Sequence, residues 1–205
     1  MRPSRVRGLM GVVAALLAMV GLYATGAGLS QLSDFLPGLR QVTPAGSVSG
    51  LAASQPTEIA IPAIEVRAPV RPVGLTSEGA IEAPPLERAG ETGWYDRSPA
   101  PGQNGPAIIV GHVDTRDGPA VFHRLHTLRP GDVVEVARKD GRVAVFEVEG
   151  VDQFDKFSLP VDRVYGDVKR PVLRLITCGG DWVGGDTGYA DNVIVFASLV
   201  DSRKA

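Results

Sequence analysis

From Thr57 onward, apolar residues occur in short runs that are separated by proline and glycine. Runs of this length and composition are typical of β-strands. The first two, residues 58–66 and 68–73, contain prolines that restrict them to sheet edges or bulges. Further strands are predicted at residues 105–112, 132–138, 143–149, 172–177 and 192–199.

Two of these runs, residues 132–138 and 143–149, alternate on either side of the turn pair Asp140-Gly141, as the strands of a hairpin do. Residues 121–128 are predicted to form a short helical segment that ends at Pro130-Gly131. The pattern therefore contains several short strands and neither a sustained helix nor an internal repeat. This predicts an all-β domain of seven or eight strands, folded as a closed or nearly closed β-barrel.

The first thirty residues have a different pattern, because three arginines precede an uncharged stretch at residues 8–33. About twenty apolar residues cross a bilayer as a helix. Positive charge ahead of such a helix places the N-terminus in the cytoplasm. We therefore predict a single-pass membrane anchor at residues 1–29, with the rest of the chain outside the cell. The alternative is a cleaved signal peptide, because residues 24–27 are small.

Residues 30–56 are rich in small residues without periodicity, and we expect them to form a flexible extracytoplasmic linker. Residues 57–202 are the predicted barrel domain. The chain has 205 residues, 44% of them hydrophobic, and a formal charge of −2, which suit one globular domain and do not favour nucleic acid binding. One cysteine excludes an intramolecular disulfide, and three histidines without a paired cysteine motif do not favour structural zinc.

The single cysteine, Cys178, lies where the apolar run 171–176 gives way to Thr177 and a glycine pair, Gly179-Gly180. We expect the thiol to lie at a strand end, because paired glycines turn the chain or let another backbone approach closely. That position suits a nucleophile. The alternative is that Cys178 is a small buried hydrophobic residue.

His112 also follows an apolar run, residues 108–110, and is predicted to lie at a strand end. A thiol reacts as the thiolate, and imidazole is its usual partner at neutral pH. His112 is therefore the candidate base for Cys178, although a histidine at a strand end is otherwise most often a surface or structural residue. His123 and His126 fall in the predicted helical segment and are interpreted as structural.

Five segments between residues 57 and 200 keep a specific order and spacing. They are Gly111-His-Val-Asp114, Gly118-Pro-Ala-Val-Phe122, Leu128-Arg-Pro-Gly-Asp132, Leu173-Arg-Leu-Ile-Thr-Cys-Gly-Gly180 and Asp191-Asn-Val-Ile-Val195. Together they resemble sortases, and more narrowly class F sortases of high-GC Gram-positive bacteria. The resemblance implies an eight-stranded sortase β-barrel behind an N-terminal membrane anchor.

The same resemblance implies a cysteine transpeptidase that cuts an LPxTG-type C-terminal sorting signal on surface proteins. By this resemblance, Cys178 attacks the carbonyl after the threonine to give a thioester, and His112 protonates the leaving amine. An amine of a peptidoglycan cross-bridge or of lipid II then releases the product. No cofactor is implied.

Sortases also carry an arginine, generally between the cysteine and the last strand, whereas residues 179–202 contain neither lysine nor arginine. Arg174 or Arg116 is a candidate substitute as the oxyanion or substrate stabiliser. Losing one oxyanion donor typically costs a hundred- to a thousand-fold in rate. An inactive peptide-binding module at the cell surface therefore stays open as the alternative function. A third class, the L,D-transpeptidases, has a cysteine motif that is absent here.

Trp182 and Tyr189 follow the cysteine and are predicted either to wall a peptide groove or to pack in the interior. The acidic residues nearby lack the regular alternation of a calcium loop and are typical of turns. They are Asp114, Asp117, Asp181, Asp186 and Asp191. We therefore predict no metal site.

Overall fold

The computed structural model describes residues 48–185 and 187–205. Eight strands form a closed barrel in the order β1-β2-β3-β4-β9-β10-β8-β7, which confirms the predicted all-β, eight-stranded architecture. Its strands are β1 (Pro56–Ile61), β2 (Val66–Val73), β3 (Thr92–Tyr95), β4 (Gly105–Val110), β7 (Val133–Arg138), β8 (Arg142–Asp155), β9 (Pro171–Gly184) and β10 (Gly188–Lys204). Two short strands, β5 (Asp114–Thr115) and β6 (Gly118–Pro119), pair as a separate two-stranded sheet.

Helical structure in the described residues is short. The helix α1 spans Val161–Tyr165. Single 3-10 turns occur at Pro62–Ile64, Leu86–Arg88, Leu125–Thr127 and Lys156–Ser158. The predicted helical segment at residues 121–128 is therefore reduced to one 3-10 turn. The chain between β2 and β3, residues 74–91, is mostly irregular and is called here the β2–β3 loop.

The hairpin of β7 and β8 forms around Asp140-Gly141, as its alternating pattern predicts, with Ala137 opposite Val143. Gly141 has a φ of 74°, a left-handed conformation that glycine adopts without steric cost. Beyond the predicted end of this strand, β8 continues to Asp155 and pairs with β10. Strand β8 therefore reaches the opposite end of the barrel, where β9 and β10 extend as a long hairpin.

Strands β4 and β9 are parallel neighbours, and residues 105–110 of β4 and 171–177 of β9 are buried on both faces. Leu173 and Leu175 point into the barrel, where they join the main core. A second apolar cluster covers the outer face beneath α1 and the β2–β3 loop. Its buried members are Ile108, Val110, Val164, Ile176, Ile194 and Phe196. Burial on both faces explains why these two strands read as continuous apolar runs rather than as alternating ones.

Residues 48–55, within the predicted linker, lie against the end of the barrel where β4 begins. The backbone N–H of Leu51 donates to the carbonyl of Gly102 at 2.8 Å. The buried guanidinium of Arg138 donates to the carbonyls of Ala52 and Pro101 and forms an ion pair with Asp140. This end of the barrel is therefore fastened by the segment that enters it.

None of the helices in residues 48–185 and 187–205 is long and apolar enough to cross a membrane. The predicted anchor or signal peptide at residues 1–29 and the predicted linker up to residue 47 lie outside the described residues. Both remain predictions.

Candidate active site

His112 and Cys178 lie at the same level of two neighbouring strands, His112 just after β4 and Cys178 within β9. Strands β4 and β9 are parallel, with Val110 opposite Ile176. Gly111, the residue after Val110, still donates its N–H to the carbonyl of Ile176 at 3.1 Å. Neighbouring strands lie about 4.8 Å apart, so the next residues along each strand are adjacent in space. The structure thus sets the two candidate residues at the same level of two neighbouring strands. His112 follows the end of β4 as predicted, whereas the prediction that Cys178 lies at a strand end was wrong, because β9 continues past it to Gly184 in the hairpin with β10.

Alternation along β9 decides which way the thiol points. Leu173 and Leu175 face the barrel interior, whereas Ile176 belongs to the outer cluster. Cys178, two residues after Ile176, is therefore on the outer face, where it is half-buried. The alternative interpretation, a cysteine buried in the core, requires a thiol closed off from solvent. The half-buried position of Cys178 does not fit it.

The outer face carries a groove of about 740 Å³ that contains Cys178. Its floor is made by Val110 and Ile176, and its walls come from the β2–β3 loop, from α1 and from the start of the β9–β10 hairpin. The lining residues are Leu75, Gly79, Ala80, Ile81, Tyr95, Val110, Lys156, Val161, Tyr165, Ile176, Cys178 and Asn192. Most of these side chains are apolar, so the groove suits an extended segment with apolar side chains.

The ring of His112 is held by the β2–β3 loop, because Nε2 lies 2.6 Å from the carbonyl oxygen of Pro84. A carbonyl only accepts hydrogen bonds, so Nε2 carries the hydrogen and donates it. In the neutral ring Nδ1 is then unprotonated and is the nitrogen that can accept a proton. Gly111 allows the loop after β4 to pack closely, because a Cβ there would come within 2.6 Å of the Phe122 ring.

A hydrogen bond joins the two segments that carry His112 and Cys178. The hydroxyl of Tyr189, in β10, donates to Oδ2 of Asp114, two residues after His112. This hydrogen bond is the main reason that the pKa of Tyr189 lies above its usual value, with smaller contributions from burial and from the charges of Asp114 and Cys178. The bond braces the β9–β10 hairpin against the loop that follows β4.

Trp182 packs edge-on against Tyr189, with 5.2 Å between the ring centroids. Trp182 is 67% exposed. Neither ring belongs to the groove lining, so of the two sequence interpretations the structure favours packing for Tyr189 and leaves Trp182 at the surface of the hairpin.

The structure does not bring Arg174 into the groove, although Arg174 is on the same face of β9 as Cys178. Its guanidinium stacks on the Phe196 ring at 4.6 Å and donates to the carbonyl of Leu173. Burial lowers the pKa of Arg174 to about 10. Four residues of strand separate it from Cys178, about 13 Å. Arg116 is exposed in the turn between β5 and β6 and does not line the groove either.

Two polar side chains that the sequence analysis did not single out line the groove with Cys178. Lys156 is its one basic lining residue, and its Nζ donates to the carbonyl of Thr187 at 2.8 Å. Asn192 lies directly opposite Cys178 in the pairing of β9 with β10. Asn192 is identified only by the register of β9 against β10, and nothing in the local pattern singles out Lys156. Over the described ranges, no group of three or more His, Cys, Asp or Glu side chains could hold a metal ion.

Comparison with known proteins identifies the family. The family model of the sortase domain matches residues 59–200. Similar solved structures include the SrtA sortase from Actinomyces oris, 22% identical over 79% of this chain and 89% of that one, with a TM-score of 0.54. They also include sortase A of Listeria monocytogenes, 17% identical over 75% of this chain and 92% of that one, with a TM-score of 0.55. No curated protein matches significantly. Because the domain model covers more than half of the sequence, the chain belongs to the sortase family.

Proposed function

We propose that the protein is a cysteine transpeptidase in which Cys178 is the nucleophile and His112 is the general acid and base. The observation that carries this proposal is the register of β4 against β9, which sets His112 at the level of Cys178, beside an apolar groove that contains the thiol. Family membership supports the same chemistry.

The reaction proceeds in two halves. Nδ1 of His112 takes the proton of the Cys178 thiol, the sulfur bonds to a peptide carbonyl carbon, the C–N bond breaks, and the leaving amine takes that proton from His112. An incoming amine then attacks the thioester and gives a proton to His112, which returns it to the sulfur as the thiol leaves. With Nε2 bonded to Pro84, Nδ1 is the nitrogen that moves the proton. Holding one nitrogen in place fixes the ring orientation through both halves.

We further propose that the substrate is a sorting signal of the LPxTG type on a surface protein, and that the acceptor is an amine of peptidoglycan or lipid II. The apolar floor and walls of the groove support an extended peptide with an apolar side chain ahead of the scissile bond. A single-pass anchor with a cytoplasmic N-terminus would hold the domain outside the cell.

The test uses the full-length chain with a panel of LPxTG peptides, varied at the third position, and a small amine acceptor. We expect cleavage, ligation to the amine and a thioester adduct on Cys178 by intact-mass spectrometry. Cys178→Ala should abolish all three while leaving the melting temperature nearly unchanged, because the thiol is only half-buried. Undiminished turnover in Cys178→Ala would refute the assignment.

A second candidate function is a surface module that binds sorting signals without turning them over. The observation that favours it is the absence of arginine from the groove lining and from residues 179–202. It predicts saturable binding of the same peptides with no adduct on Cys178. Binding without an adduct across the whole panel would therefore replace the first proposal with this one.

A further inference from the structure

The groove offers few groups that could stabilise negative charge. Its polar side chains, apart from the thiol, are those of Tyr95, Lys156, Tyr165 and Asn192. Attack by the Cys178 sulfur moves a pair of electrons from the carbonyl π bond onto oxygen, and this oxyanion needs a hydrogen-bond donor close to the sulfur. The position of each polar group relative to Cys178 therefore decides which one serves. This question rests on the proposed transpeptidase function.

Asn192 is the cross-strand neighbour of Cys178. The pairing of β9 with β10 sets Ile194 opposite Ile176 and Asn192 opposite Cys178. Ile176 and Ile194 both belong to the outer cluster, so alternation places the next pair on the same outer face. Directly opposed residues have Cβ atoms about 5 Å apart. The carboxamide of Asn192 is therefore within reach of an atom bonded to the Cys178 sulfur.

The carboxamide is also available. Asn192 is half-buried, and no hydrogen bond between described residues involves its side chain. Its Nδ2 carries two hydrogens that can be donated, and Nδ2 has no charge that must be desolvated. Lys156, the one basic residue of the lining, already donates its Nζ to the carbonyl of Thr187 at the rim. Tyr95 and Tyr165 reach the groove from β3 and α1 and are not paired with Cys178.

We propose that Asn192 is the oxyanion donor of this chain, taking the role for which no arginine is positioned. Its Nδ2–H donates to the carbonyl oxygen as the bond from sulfur to carbon forms. The oxyanion then collapses, the carbonyl re-forms, and the amine that leaves takes the proton from His112. A neutral donor of this kind strengthens as charge develops on the oxygen, so it acts on the rate of acylation more than on peptide binding.

The test measures single-turnover acylation of the full-length chain by an LPxTG peptide. Asn192→Ala should lower the acylation rate by about 100-fold with little change in peptide affinity. Asn192→Asp, which keeps the size but adds negative charge, should lower it at least as far. Asn104→Ala is the matched control, because the chain's other asparagine is exposed just before β4 and should acylate at the wild-type rate.

Alkylation of Cys178 by iodoacetamide separates the proposed role from a structural one. Displacement of iodide forms no oxyanion, so Asn192→Ala should be alkylated at the wild-type rate even though it acylates slowly. Equal losses in both reactions would show that Asn192 acts on the thiol instead, and the proposal would fail. It would also fail if Asn192→Ala acylated normally while Lys156→Met did not.

A wild-type chain that forms no thioester with any peptide of the panel refutes the transpeptidase function, and the Asn192 assignment with it. A wild-type chain that acylates normally beside an Asn192→Ala variant of equal rate refutes only the Asn192 assignment.

Discussion

The two ends of the barrel are built differently. Where β4 and β9 begin, the guanidinium of Arg138 is fully buried. It donates hydrogen bonds to two backbone carbonyls and forms an ion pair with Asp140. At the other end of β4, Cys178 and His112 are half-buried, and the hydroxyl of Thr177, on the inner face of β9, is buried without a partner among the described residues. One end has its polar groups paired, whereas the other leaves the Cys178 thiol and the Asn192 carboxamide open to the groove.

This difference separates stability from function along the same pair of strands. At the first end, hydrogen bonds and an ion pair hold the entering segment to the sheet. The second end carries unpaired polar groups, which lower stability but are available for catalysis. We therefore expect substitutions at the two ends to affect different measurements. Sites this far apart, without shared partners, should act additively.

The largest effect is expected from Arg138→Met. The substitution leaves the carbonyls of Ala52 and Pro101 without their buried donor and Asp140 without its partner. We expect the free energy of unfolding to fall by about 3 kcal/mol. Urea denaturation measures it, and the rate of peptide acylation by the folded fraction should stay close to the wild-type rate.

Arg203→Met is the matched control for this experiment. Arg203 also forms an ion pair, with Glu135 at 2.8 Å, but both side chains are partly exposed. Exposed pairs contribute about 0–1 kcal/mol. If both variants lost the same stability, or if Arg138→Met slowed acylation as much as it lowered stability, the proposed separation of the two ends would be wrong.

The next effect is expected at the catalytic end, from Tyr189→Phe. This change removes only the hydroxyl that donates to Asp114 and so loosens the loop after His112 from the hairpin that carries Cys178. We expect kcat to fall by about tenfold with KM nearly unchanged, and the free energy of unfolding to fall only slightly. Steady-state ligation kinetics and urea denaturation measure the two quantities.

Asp114→Asn sharpens this prediction, because a carboxamide oxygen at position 114 still accepts a hydrogen bond from Tyr189. It should retain most of the activity that Tyr189→Phe loses. A positioning role would be disproved if both variants kept wild-type kcat, or if Asp114→Asn were the more damaging of the two.

The sequence predicts the barrel well because its strands carry local signals. Residues 132–138 and 143–149 alternate around a turn pair, and the apolar runs before His112 and Cys178 stop where the strands reach the site. β3 was missed, since Thr92–Tyr95 is four residues long and is defined by its pairing with β2 and β4. Asn192 was missed for the same reason, because only the register of β9 against β10 sets it beside the thiol.

The smallest effect is expected from Arg174→Met, although Arg174 was a sequence candidate for the oxyanion stabiliser. Its guanidinium stacks on Phe196 under the outer face, does not line the groove, and has a buried Nε without a partner among the described residues. Burial lowers its pKa to about 10, which means that folding disfavours its charge. The acylation rate should therefore stay within about twofold of wild type.

The free energy of unfolding of Arg174→Met also tests whether the buried charge of Arg174 lowers stability. Because the pKa of Arg174 is lower in the folded chain than its usual value, the unfolded chain binds more protons above pH 10, and wild-type stability gains a contribution as pH rises there. Near pH 7 the buried charge is a cost, so an apolar side chain of similar length should leave the free energy of unfolding equal or higher. Urea denaturation at pH 7 measures this. A large loss of acylation with unchanged stability would instead place Arg174 in the reaction and weaken the assignment of Asn192.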